Sequence, residues 1–190
     1  MTSLVLHPTD VAQWHALVGE AQAACEQQLD EALESYLVFL LMRFADQPQL
    51  LERIMAIDYL KASAAETRQQ CDKLRDVGDQ CLLFSGLFPQ LAEKRLVKVS
   101  YFVNLGRTAY DQLSVLVDRK SEQLYTSLAH AFVLVMDILH AIRALSGNPA
   151  LTALQATELW ADTGSRSAYA TLRDHYQVEP FRPRGGFRYT

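Results

Sequence analysis

Apolar residues recur at helical spacing along almost the whole chain. Pro8-Thr9-Asp10 reads as a helix start, with Thr9 or Asp10 as cap ahead of Val11, Trp14 and Leu17-Val18. Across residues 26–45, Leu29, Leu33, Tyr36-Leu37 and Leu40-Leu41 fall at three- and four-residue steps. That spacing predicts a central helix, apolar nearly all round. Asp46-Gln47-Pro48 breaks it, and Pro48 opens a further helix whose core positions are Leu51, Ile54, Met55 and Tyr59. Residues 64–84 form one long helix, closed by Ser85-Gly86 with Gly86 suited to the left-handed terminal position. A short helix from Pro89 to Lys94 follows.

Residues 96–119 carry Val99, Phe102-Val103, Gly106, Ala109-Tyr110, Leu113 and Leu116-Val117 at a period of 3.6, so a helix is expected over a strand. Ser121 is expected to cap a continuous helix over 121–145, closed by Ser146-Gly147-Asn148-Pro149. Shorter helices are expected at 151–161 and 165–176. From Val178 the texture changes to proline, glycine, arginine and aromatic residues, which is an arm and not a helix.

The pattern predicts an all-α, single-domain bundle of about six to eight helices with an extended C-terminal arm. The bundle takes residues 1–177 and the arm 178–190. Composition agrees: 190 residues can bury a core, 49% are hydrophobic, and 8 Gly with 6 Pro leave few breaks. A net charge of −4 argues against wholesale nucleic-acid binding. Cys25, Cys71 and Cys81 form no C-x-x-C and read as reduced thiols. The start lacks a basic, apolar leader, and the longest apolar run, 36–42, is far short of the roughly 20 residues of a membrane span. A soluble, cytoplasmic chain is the expectation.

The densest local pattern lies between Asp72 and Pro89, where three aspartates, Arg75, a mid-helix Gly78 and an apolar run share one helix. Asp72, Asp76 and Asp79 fall within about 60° of one another around the axis. Carboxylates so close repel unless a cation or basic side chains intervene. Arg68 and Arg75 supply the basic neighbours, so a compensated salt-bridge network is the first reading. A divalent-cation or ligand site on Asp72, Asp76, Asp79 and Arg75 is the second. The opposite seam, Cys71, Leu74, Gly78, Cys81-Leu82 and Ser85, suits close approach of another helix, with Gly106 as its expected counterpart.

His130, Asp137 and His140 would lie within about 80° on one continuous helix. Asp137-x-x-His140 has the carboxylate–histidine spacing of di-iron bundles. Those sites need two such pairs and further glutamates, and one pair is present here. Ordinary amphipathicity is the first reading of the stripe, which then faces water with Phe132, Val135, Ile138, Leu139 and Ile142 on the opposite side. In the arm, Arg182, Arg184 and Arg188 alternate with Phe181, Phe187 and Tyr189. Arg182, Arg184, Phe187 and Arg188 therefore form a candidate partner-binding set.

No phosphate loop, nucleophile elbow or zinc spacing appears. A Ser–His or Cys–His pair would meet only in space. The expected function is a binding or regulatory module for a protein partner or small ligand, with a homodimer as another expected partnership and no cofactor. The alternative is a metal-dependent, di-iron-like helical-bundle enzyme using a divalent metal on His130, Asp137 and His140.

Overall fold

The computed structural model describes residues 8–46, 67–148 and 151–176. Among them the chain forms nine helices and no strand: α1 (Pro8–Ala24), α2 (Glu31–Asp46), α3 (Thr67–Gly86), α4 (Gln90–Lys94), α5 (Val99–Leu116), α6 (Arg119–His130), α7 (Phe132–Leu145), α8 (Ala153–Thr163) and α9 (Arg166–Tyr176). The all-α expectation holds. The helix expected after Pro48 and the arm from Val178 lie outside the described residues.

α3 runs through the middle of the bundle. Leu74, Val77, Cys81, Leu82, Leu83 and Phe84 are all buried, although the helix also carries three aspartates. Its closest neighbour is α5, and α7 packs beside it. Three glycines make these approaches possible. A β-carbon on Gly78 would lie 2.5 Å from the Tyr110 ring of α5, and one on Gly106 2.5 Å from Phe132 and 2.8 Å from Cys81 Cβ. The small-residue seam on α3 is thus a close helix contact, with each glycine making room for large or opposing side chains of its neighbours.

Gly86 departs from expectation. The described glycines with positive φ are Gly147 and Gly164, and Gly86 is not among them. It is needed for space, since a β-carbon there would sit 2.5 Å from Leu139 Cβ. Two helix starts also differ. α2 begins at Glu31, because Asp30 Oδ1 accepts from the Leu33 N–H at 2.8 Å while Glu26 turns the chain at a φ of 52°. α6 is capped by Asp118, whose side chain accepts from Lys120 and Ser121 N–H groups, so Ser121 lies inside the first turn.

The helix expected over 121–145 is two helices that meet at Ala131 with a bend of 67°. α6 buries only Leu128 and Ala129, and its polar residues stay at the surface. α7 buries Phe132, Val135, Met136, Ile138 and Leu139. A straight rod could not keep the first half outside and drive the second through the core. Among the described residues, no single helix is long and apolar enough to cross a membrane.

Candidate functional site

Two polar clusters are built into this apolar frame. The first centres on Asp79, which is 2% exposed. Its Oδ1 accepts from Tyr36 Oη of α2 at 2.5 Å and from Tyr110 Oη of α5 at 2.7 Å. Its Oδ2 accepts from Arg43 Nη2 of α2 at 2.8 Å, and the same nitrogen lies 3.4 Å from Asp76 Oδ1. Tyr125 of α6 closes the group, with its ring 6.2 Å from Tyr36 and 6.1 Å from Tyr110.

Burial pushes the Asp79 carboxyl up, against the downward pull of Arg43 and the two hydroxyls. Burial, followed by the Asp79 charge, holds both Tyr36 and Tyr110 well above the usual phenol value. The acidic stripe therefore divides. Asp72 is exposed and pairs with Arg75 at 3.4 Å, Asp76 meets Arg43, and Asp79 is sealed inside. Its three helices are tied together by ionic and phenolic hydrogen bonds.

The second cluster lies on α7 and on the turn into α9. Asp137 and His140 are each 2% exposed, so the expectation that this stripe faces water is not met. Asp137 reaches the start of α9, where its Oδ2 accepts from the Arg166 N–H at 2.8 Å. Its Oδ1 accepts from Ser165 Oγ at 2.6 Å and Ser167 Oγ at 2.8 Å. Ser165 Oγ also accepts from the Ala168 N–H at 3.1 Å, the usual N-cap bond. A buried carboxyl on one helix thus anchors the N-terminus of another.

His140 works in the other direction. Its Nε2 lies 2.8 Å from the Ser85 carbonyl, in the last turn of α3, where a helix leaves carbonyls without internal partners. A carbonyl only accepts, so Nε2 carries a proton. Nδ1 then faces Ser167 Oγ at 2.6 Å. Arg143, one turn further along α7, donates to the Leu87 carbonyl. Burial lowers the affinity of His140 for a second proton, opposed by the nearby Asp137 charge.

The wall formed by Asp137, His140 and Ser167 borders a cleft of about 830 Å³ between the end of α1, α7 and α9. Its lining includes the apolar Ala141, Ala144 and Leu151 and the charged Arg166, Arg173, Glu26 and Asp174. Cys25 and Gln27 close the α1 end. Burial pushes the Cys25 thiol up, and the Asp137 charge adds to the effect. Gln27 Nε2 is buried with no hydrogen-bond partner among the described residues.

His130 does not join this group. It is exposed at the end of α6, beyond the 67° bend, so the one-face placement of His130, Asp137 and His140 fails with the continuous helix it assumed. Among the described residues no three His, Cys, Asp or Glu side chains are grouped as metal ligands would be. Arg182, Arg184, Phe187 and Arg188 lie outside the described residues. Sequence reasoning missed Tyr36, Arg43, Ser165 and Ser167. The only trace of the last two was a polar helix start.

No family model matches the chain, and neither the curated proteins nor the solved structures contain a match to it.

Proposed function

We propose that the chain is a small-ligand binding module whose site is the cleft between α1, α7 and α9. The observation that carries this reading is the cleft's wall. Its volume of about 830 Å³ falls within the range of small-molecule sites. Polar groups on its border, Asp137, His140 and Ser167, are held in fixed positions by hydrogen bonds to three different segments. Gln27, which also borders the cleft, carries a buried side-chain donor without a hydrogen-bond partner among the described residues. Free thiols at Cys25, Cys71 and Cys81 fit a reducing compartment such as the cytoplasm.

The test is a fragment screen by saturation-transfer NMR on the full chain and on Ala141→Trp and Ala170→Trp, two half-buried cleft positions that an indole would fill. Fragments that bind the parent protein lose their signal in both variants. A panel that binds nothing, or binds the blocked variants equally well, rejects the cleft as the site.

A further inference from the structure

We infer that the cleft carries a serine nucleophile, Ser167 with His140 as its base, and that the ligand it takes is a carboxylic ester. The inference rests on the proposed ligand site and adds chemistry to it. Ser167 Oγ is 2.6 Å from His140 Nδ1, within the reach of proton transfer from hydroxyl to imidazole. The other ring nitrogen is fixed by the Ser85 carbonyl at 2.8 Å. That bond sets the tautomer: with Nε2 protonated, the Nδ1 lone pair points to the serine. A backbone carbonyl here performs the orienting task that a carboxylate performs in a Ser-His-Asp triad. Burial keeps the imidazole neutral and able to accept a proton.

Asp137 has a different position from a triad aspartate, because it contacts the serines and not the far ring nitrogen. Its Oδ2 is taken by the Arg166 N–H and its Oδ1 by Ser165 and Ser167. The Ser167 hydroxyl carries one proton and faces two acceptors, Nδ1 at 2.6 Å and Oδ1 at 2.8 Å. Ser165 Oγ, at 2.6 Å from Oδ1, supplies the carboxyl with a donor whichever way Ser167 turns. Ser167 is half-buried and borders the cleft, and a substrate carbon would approach its oxygen from the cleft side, past the polar contacts to His140, Asp137 and, at 3.1 Å, Ser165 Oγ.

The first turn of α9 also offers a donor for developing negative charge. The Arg166 N–H is used by Asp137, the Ala168 N–H by Ser165 Oγ and the Tyr169 N–H by the Ser165 carbonyl. Among the described residues no hydrogen bond engages the Ser167 N–H, which belongs to the nucleophile's own residue at the positive end of the helix. The apolar residues in the cleft lining, Ala141, Ala144 and Leu151, suit a short acyl chain.

In the reaction, Ser167 Oγ bonds to the acyl carbon while its proton passes to His140 Nδ1. The carbon–oxygen bond to the alcohol breaks, and the imidazolium gives that proton to the departing alkoxide. Water then attacks the acyl-serine, its proton passing to Nδ1. The bond to Oγ breaks, the proton returns to it, and the acid leaves.

The experiment treats the full chain with a fluorophosphonate probe and maps the adduct by peptide mass spectrometry, alongside hydrolysis of p-nitrophenyl butyrate. The expected result is a phosphonyl adduct on Ser167. Hydrolysis should fall about a hundredfold or more in Ser167→Ala and His140→Gln. Ser167→Ala leaves Asp137 its bonds to Ser165 and the Arg166 N–H, so the fold should survive, which a melting curve checks. If either variant fails to fold, the adduct position in the unaltered chain decides. An unmodified Ser167 at saturating probe, or hydrolysis that persists in folded Ser167→Ala, overturns the inference. Fragment binding without an adduct keeps the ligand site and removes only the chemistry.

Discussion

Tyr110 lies across the bare backbone of Gly78 and donates a 2.7 Å hydrogen bond to Asp79, the next residue of α3. The glycine and the carboxylate are thus two parts of one contact. Ring and backbone come close because no β-carbon intervenes, and that closeness brings the phenol to the buried oxygen. Gly78→Ala puts a methyl group 2.5 Å from the Tyr110 ring. The intrinsic helix gain of alanine is about 1 kcal/mol, while overpacking a filled core costs about 1–3 kcal/mol and here would also stretch the bond to Asp79. A net loss of about 1–2 kcal/mol in urea unfolding is expected. An unchanged or raised midpoint would show that Tyr110 moves freely.

The same network predicts alkaline behaviour. Tyr36 and Tyr110 have folded-state pKa values above the unfolded value of about 10. A raised folded pKa means the native state keeps its protons longer. This contribution is therefore fully present below about pH 10 and is lost as pH rises through the higher folded values. Phenolate absorbance from these two residues should appear together with loss of helical circular dichroism, and not before. In Tyr110→Phe, the late absorbance step should shrink. The variant should also lose about 1.5–3 kcal/mol at neutral pH, as for a hydrogen bond to a charged group. Full phenolate absorbance in a still-folded chain would contradict the geometry.

How much of this was legible in sequence depended on distance along the chain. The seam on α3 was readable because Cys71, Gly78 and Cys81 share one helix face. The partners of Asp79 were not: Tyr36 and Arg43 come from α2, 43 and 36 residues away, and looked like ordinary members of an amphipathic pattern. Asp137 was visible, yet its bonds run to Ser165 and Ser167, 28 and 30 residues on. The error over His130 has a specific cause. α6 and α7 have the same helical period, and Ala131 joins them without a proline or glycine to mark the bend.

The cysteines divide by environment. Cys81 is fully buried against the α3–α5 contact, and burial pushes its thiol far up. Cys25 borders the cleft and its thiol is also raised by burial. With excess DTNB near pH 8, Cys81 should stay unmodified until denaturant is added, and Cys25 should react slowly through the cleft. Rapid reaction of all three thiols in the folded protein would show that the core opens locally.

A polar tether joins α7 to the start of α9. Asp137 accepts from the Arg166 N–H and the Ser165 hydroxyl, and it shares the Ser167 hydroxyl with His140, whose Nδ1 lies 3.9 Å from the carboxyl. Asp137→Ala leaves the Arg166 N–H and the Ser165 hydroxyl at the head of α9 without their acceptor, while Ser167 keeps His140. One orphaned buried donor costs about 1–3 kcal/mol, and because Ser165 and Ser167 can rotate toward other partners, a total near the top of that range is expected. The loss should be local before it is global. Native-state hydrogen exchange should quicken through the first turns of α9, while α3 and α5 keep their protection. Asp137→Asn is the discriminating comparison, because its amide oxygen can still accept from some of these donors and should recover part of the protection. Uniform acceleration across the bundle in Asp137→Ala would mean that this carboxyl holds the whole fold together. Unchanged exchange in α9 would mean that Ser165 and Gly164 hold the helix end without it.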